Sequence, residues 1–214
     1  MAKGMFIVFE GIEGSGKTMQ TKEFCKFLSA QNKDVVMTEQ PWEHDLIGKL
    51  IREELKDKVD AISSVTLQFL FIANRSNHVE KLIEPDLNSG KAVVADRYWM
   101  STAAYGSTLS GNPKINVSYF ANLHKIFPVP DVVFFIDVDP QVAYKRIMER
   151  AFQHKLNGAR KERFDKLDTL QILREKYKEL ENSYEGVWVT IDGNKKTEEV
   201  TADIIKKYND LAKA

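Results

Sequence analysis

The segment Gly11-Ile12-Glu13-Gly14-Ser15-Gly16-Lys17-Thr18 satisfies G-x-x-x-x-G-K-[ST] in full. In such a loop the glycines let backbone N–H groups converge on phosphate oxygens. The lysine supplies charge to the terminal phosphates of a nucleoside triphosphate, and the hydroxyl beside it can coordinate Mg²⁺. A helix beginning at Lys17 would point its positive end at the same anion. The spacing is not G-x-G-x-x-G, which removes the main support for a dinucleotide site. A guanine-reading N-K-x-D is also missing: Asn32-Lys33-Asp34 has the wrong spacing and Asn194-Lys195-Lys196 lacks the acid. Phosphoryl transfer to a small acceptor is therefore favoured over a switch GTPase. Asp96-Arg97 offers the complementary chemistry. An aspartate at the carboxyl end of a buried strand lies beside the phosphate loop, where it can hold Mg²⁺ through its water. An arginine next to it can fork between donor and acceptor phosphates, whose equatorial oxygens need neutralising.

Positioning these groups takes a sheet. Met5–Phe9, Asp34–Thr38, Ala92–Ala95, Val132–Ile136 and Val187–Ile191 are short apolar runs rich in Val, Ile and Phe, and they read as buried strands. Helical spacing is expected at Lys17–Ala30, Leu46–Leu55, Ser63–Ile83, Val117–Ile126, Gln141–Arg150, Leu167–Asn182 and Glu198–Ala212. Alternation of the two predicts an α/β fold of three layers, a five-stranded parallel sheet with helices on both faces. Asp139-Pro140 reads as an acidic N-cap with proline in the first helical position, and Gly90 as a helix stop before a strand. Nothing in the composition divides the chain, so residues 1–214 are read as one domain with a mobile basic lid near 145–163.

The 214 residues are 43% hydrophobic and 29% charged, with 31 Lys+Arg against 31 Asp+Glu. Zero net charge argues against a protein built to hold nucleic acid or an anionic membrane. The longest apolar runs are five residues, far short of the ~20 a membrane span needs. Cys25 is the only cysteine, which suits a reducing, cytoplasmic setting. Charge is uneven locally: Lys145–Arg163 holds seven Lys/Arg and two Glu. Closing over a bound triphosphate, that stretch could bring Arg146, Arg150, Arg160 or Arg163 to the transferring phosphoryl group, with Arg150 the first candidate.

Several segments in order resemble the thymidylate kinase family: Phe9-Glu10-Gly11 entering the phosphate loop, Phe71-Ile72-Ala73-Asn74-Arg75, Asp96-Arg97-Tyr98 with Ser101-Thr102-Ala103-Ala104-Tyr105, Phe135-Ile136-Asp137-Val138-Asp139-Pro140, and Ile191-Asp192-Gly193. The resemblance implies a P-loop kinase fold, transfer of the ATP γ-phosphoryl group to dTMP with Mg²⁺, and a homodimer. It implies that Gly11, Ile12, Glu13, Gly14, Ser15, Gly16, Lys17 and Thr18, with Arg146, bind ATP, and that Thr18 and Asp96 serve the metal. Phe71 would stack on thymine, Arg75 would bond its O4 edge, and Pro41, Arg97, Thr102 and Tyr105 would complete the acceptor pocket. Glu13 would approach the sugar 3′-hydroxyl, and Lys17, Asp96, Arg97, Glu13 and Arg150 would form the catalytic set. Two departures stand out. Where many relatives carry Thr-Arg-Glu-Pro-Gly this chain has Thr38-Glu39-Gln40-Pro41-Trp42, so an acid replaces an arginine. Gly14 stands where one subgroup places a catalytic arginine, so the chain is similar to the subgroup whose lid supplies it. A kinase of another base preference and a non-catalytic ATP-binding regulator are the remaining readings. Phe120, Leu123 and Phe127, or the helix face near Phe69, are candidate dimer surfaces.

Overall fold

Continuous apolar runs bounded by polar residues can be satisfied only where both faces of a sheet are covered. The computed structural model, which describes residues 3–57, 62–155 and 166–213, shows that arrangement. Strands β1 (Phe6–Glu10), β2 (Val35–Glu39), β3 (Ala92–Asp96), β4 (Val132–Asp137) and β5 (Trp188–Asp192) are all parallel, in the order β2-β3-β1-β4-β5. Each strand runs on into an acidic residue: Glu10, Glu39, Asp96, Asp137 and Asp192 share the carboxyl edge. The register sets Phe9 and Glu39 on either side of Asp96.

The helices are α1 (Lys17–Ala30), α2 (Leu46–Asp57), α3 (Ser64–His78), α4 (Glu84–Asn88), α5 (Trp99–Leu109), α6 (Val117–Leu123), α7 (Pro140–Lys155), α8 (Leu167–Ser183) and α9 (Thr197–Leu211). Period-two alternation divides the core between the two faces. Ile7, Phe9, Val94, Phe134 and Ile136 pack on Phe24 and Leu28 of α1 and on Val200 and Ile204 of α9. On the other face Phe6, Val8, Val93, Val133 and Phe135 pack on Met100, Phe120, Leu170 and Tyr177 from α5, α6 and α8. Each such side chain contributes roughly 1.5–3 kcal/mol by leaving water.

The expected caps are present. Asp139 Oδ1 accepts from Gln141 N at 2.8 Å as Pro140 opens α7, and Gly90 ends α4 with φ +88°. The helix expected over Ser63–Ile83 is broken differently. It passes from α3 through a π-helical turn at Val79–Ile83 into α4. Pro85 follows that turn and has no N–H for the ordinary i→i−4 bond. Helix α5 was not anticipated as an element. It is buried around most of its circumference, with Met100, Thr102, Ala103, Ala104 and Gly106 all inside, and so presents no amphipathic period. Gly106 is required there: a Cβ would come 2.3 Å from the ring of Phe120. Phe120 and Phe127 are therefore core residues, 0% and 8% exposed, and not the surface patch expected of them. Phe69, Leu46 and Leu50 are the exposed apolar side chains of α3 and α2.

Candidate active site

The phosphate loop joins the central strand β1 to α1. Gly16 caps α1 with φ +90°, a conformation other residues avoid, and a Cβ on it would meet no atom within 4 Å. No side chain caps α1, so its first N–H groups are left for an anion in the loop. Lys17, only 4% exposed, holds Nζ 3.5 Å from both Ile12 O and Glu13 Oε2. Burial, and then Arg97, pull its pKa below the usual lysine value while Glu13 opposes them. Thr18 Oγ1 donates to Asp96 Oδ2 at 2.5 Å, which ties the loop to the end of β3.

Glu13 collects three cations. Its Oε2 accepts from Arg97 at 2.8 Å and faces Lys17, and its Oε1 accepts from Arg150 at 2.8 Å. Lys17 above all, against the opposing effect of burial, and then Arg97 and Arg150, hold the carboxyl well below its usual range. These three cations satisfy a carboxylate that burial alone would disfavour. Asp96 and Arg97 are not paired with each other. Arg97, in the left-handed region at φ +72°, donates to Gly11 O, Ser101 Oγ and Glu13, and lies over the ring of Tyr105.

Arg97 rests on a buried group beneath it. Glu10, 0% exposed, accepts from Tyr98 N and Ser101 N with Oε1 and from Ser101 Oγ and Tyr177 Oη with Oε2. Burial pushes its carboxyl up, against Arg97 and these hydrogen bonds. Tyr177 arrives from α8, far along the chain.

A cavity of about 220 Å³ runs from the loop to α3, many times the ~30 Å³ share of one water, so it admits an organic ligand. Glu13, Lys17, Thr18, Pro41, Phe71, Arg75, Asp96, Arg97, Thr102 and Tyr105, ten residues expected in the site, line it together. Phe71 belongs both to this wall and to the small core of Ile51, Leu55 and Leu67. Arg75 is fully buried, 1% exposed. Its guanidinium donates to Gln40 Oε1, His124 Nε2, Tyr98 O and Thr102 Oγ1. Thr102 is thereby committed to Arg75. Trp42 lies flat on His78 beneath the loop and does not line the cavity. Glu39 does line it, and so does Arg52 of α2, whose Nε donates to Glu43 at 2.6 Å. The cavity wall that holds Glu39 therefore also holds a guanidinium that the sequence alone did not single out.

Other expected residues are placed elsewhere. Arg146 donates to Gly193 O at 3.1 Å, beside the turn after β5, and Arg150 reaches Glu13 from α7. Arg160 and Arg163 lie outside the described residues. Glu10 could have been found by the argument that found Asp96, an acid at the carboxyl end of a buried strand. Gln40, His78, His124 and Tyr177 carried no local signal. Among the described residues there is no cluster of three His, Cys, Asp or Glu able to cage a metal. The donor set instead suits Mg²⁺, which favours few protein ligands plus phosphate and water. Asp96 Oδ1 and Ser15 Oγ are buried without a hydrogen-bond partner, the kind of vacancy in bonding that such a hydrated ion and its phosphates fill.

A phosphate loop opening on one cavity, at the carboxyl edge of a parallel sheet, makes this a nucleotide-binding α/β protein of the P-loop class. Comparison of the sequence with known proteins narrows the class. The family model described as thymidylate kinase matches residues 9–204. The chain is 37% identical to a probable thymidylate kinase of Methanocaldococcus jannaschii, over 96% of each chain. It is 34% identical to the thymidylate kinase of Plasmodium falciparum, over 98% of this chain and 91% of that one. With a probable thymidylate kinase of Methanosarcina mazei the identity is 33%, over 96% and 95%. The chain belongs to the thymidylate kinase family. No helix among the described residues is long and apolar enough to cross a membrane.

Proposed function

We propose that the protein transfers the γ-phosphoryl group of ATP to the 5′-phosphate of dTMP, giving dTDP and ADP. The observation that carries this reading is one cavity with a phosphate-binding loop at one end and Phe71 with Arg75 at the other. Family membership supports it. Residues 11–18 and Arg146 bind ATP. Lys17 and the N–H groups of the loop hold the phosphates. Thr18 and Asp96 would hold Mg²⁺, which would supply positive charge against the negative charge that develops during transfer.

Arg97, fixed by Gly11 O, Ser101 and Glu13, sits between donor and acceptor and clamps both phosphates. In this reading Glu13 keeps Lys17, Arg97 and Arg150 preorganised until phosphate oxygens compete for them, and accepts from the sugar hydroxyl. Such preorganisation lowers the barrier because the donors need no reorganisation during transfer. Phe71 stacks on the base, Arg75 reads its carbonyl edge, Pro41, Thr102 and Tyr105 complete the pocket, and Arg52 adds positive charge to the wall that also holds Glu39.

The basic segment at 145–163 is the lid of a single domain. Its described part continues α7, and Arg150 is the side chain brought to the phosphates. The protein works as a cytoplasmic homodimer through the exposed apolar side chains of α2 and α3, so sedimentation should give twice the protomer mass. ADP release with dTMP, dUMP, dCMP, dGMP, AMP and thymidine in turn tests the function. A clear preference for dTMP is expected. Binding of ATP with no acceptor phosphorylated would instead favour a regulator on the same fold.

A further inference from the structure

Two histidines flank Arg75, and their protonation can be worked out from donors and acceptors alone. A guanidinium only donates and a carbonyl only accepts. Arg75 Nη1 lies 2.7 Å from His124 Nε2, so that nitrogen accepts, and His124 Nδ1 carries the proton it donates to Phe120 O. Arg75 Nε donates to Gln40 Oε1 at 2.8 Å, which fixes the Gln40 amide. Gln40 Nε2 must then donate to His78 Nδ1 at 3.2 Å, leaving His78 Nε2–H to donate to Thr38 Oγ1 at 2.7 Å. The imidazoles are neutral and in opposite tautomers.

Each ring lies nearly flat on an indole, His78 on Trp42 (5.2 Å, 9°) and His124 on Trp99 (5.5 Å, 19°), and they are 0% and 3% exposed. The chain of bonds draws β2, the loop after it, α3 and the end of α6 onto one guanidinium, while α5 adds Thr102. No carboxylate bonds Arg75 among the described residues. Its charge is left for what occupies the cavity, and four of its five N–H groups are pinned.

We propose that His124, directly, and His78, through Gln40, are positioning residues that fix Arg75 in the cavity wall and so set the acceptor-base preference. This rests on the reading of the Arg75 end as the acceptor-base end.

The test compares His124→Phe, which keeps a ring against Trp99 but offers no acceptor, with His124→Gln, whose Oε1 can replace Nε2. Losing an acceptor from a buried charged donor should raise KM for dTMP about tenfold or more. The dTMP-over-dCMP ratio of kcat/KM should narrow and KM for ATP should stay within about twofold, with His124→Gln restoring most of the loss. An unchanged KM for dTMP, a parallel rise in KM for ATP, or a Gln variant as impaired as the Phe variant would overturn the proposal. If the Phe variant does not fold, imidazole ¹⁵N NMR of the unmodified protein at pH 7 decides. Protonated Nδ1 on His124 and Nε2 on His78 are expected, and a doubly protonated ring or a shared tautomer overturns the assignment. Failure of the unmodified protein to prefer dTMP, with those tautomers intact, would count against the function reading and against the base preference assigned here, not against the bonding network.

Discussion

Glu13 is an ionised carboxylate inside the phosphate loop, and its three cations make that tolerable. Lys17 and Arg97 are largely buried and built into the loop and the end of β3, but Arg150 is half exposed and comes from α7. An exposed ion pair of that kind adds little to stability, typically under about 1 kcal/mol. A cation brought to the transferring phosphoryl group can be worth about 10²-fold or more in rate. Arg150→Ala should therefore leave the melting temperature nearly unchanged and lower kcat by about 10²-fold, with a much smaller rise in KM for ATP. Steady-state kinetics with a thermal melt check this, and an unchanged kcat would move the role to another basic residue of the segment. Lys17 differs because its ammonium is already desolvated. Lys17→Ala should abolish measurable turnover, as read by ADP release.

At the scale of elements, Gly106 shows how packing decides what local sequence cannot. Helix α5 carries Ser101, Thr102 and Tyr105 to the cavity, and it lies against α6 only because residue 106 has no Cβ. Gly106→Ala would put that atom 2.3 Å from Phe120. Overpacking of this kind costs about 1–3 kcal/mol, so urea unfolding should show a loss in that range together with a raised KM for dTMP. A variant as stable as the parent would mean that α6 shifts freely. The strands, the phosphate loop with its flanking strand and helix, and the Asp139-Pro140 cap were legible because their signals are local: apolar runs, glycine spacing, an acid before a proline. Helix α5 was not, since a segment buried on most sides loses its period. The Arg75 network was legible only in its two ends, Arg75 and Thr102. Of its other members, Gln40 and His124 come from segments that meet α3 only in the folded chain, whereas His78, one helical turn after Arg75 on α3, bonds Gln40 and not the guanidinium. Glu10 lies between these cases, its position visible but its four hydrogen bonds supplied by α5, Tyr98 and α8.

For the molecule as a whole, the buried histidines tie stability to pH. Burial, and then the charge of Arg75, push both His78 and His124 down to about 3. An unfolded histidine titrates near 6.5, so between pH 6.5 and 3 the unfolded chain binds more protons and stability falls as pH falls. Their contribution is fully present above about pH 7 and amounts to a loss of about 2 kcal/mol for each by pH 5. Glu13, held down, adds to the acid loss further below, whereas Glu10, pushed up by burial, works against it. Urea midpoints measured at pH 7.5, 6 and 5 should fall in order, and a flat profile would show that the histidines titrate normally.

In the proposed reaction the phosphate loop and the Arg75 pocket form one site for direct transfer between two nucleotides. Incubating the protein with ATP labelled in its γ-phosphate and with dTMP tests this most directly. Label is expected in the terminal phosphate of dTDP, in equal amount to ADP formed, and none of it with Lys17→Ala. Label released as inorganic phosphate, or incorporated equally well into dCMP, would contradict it.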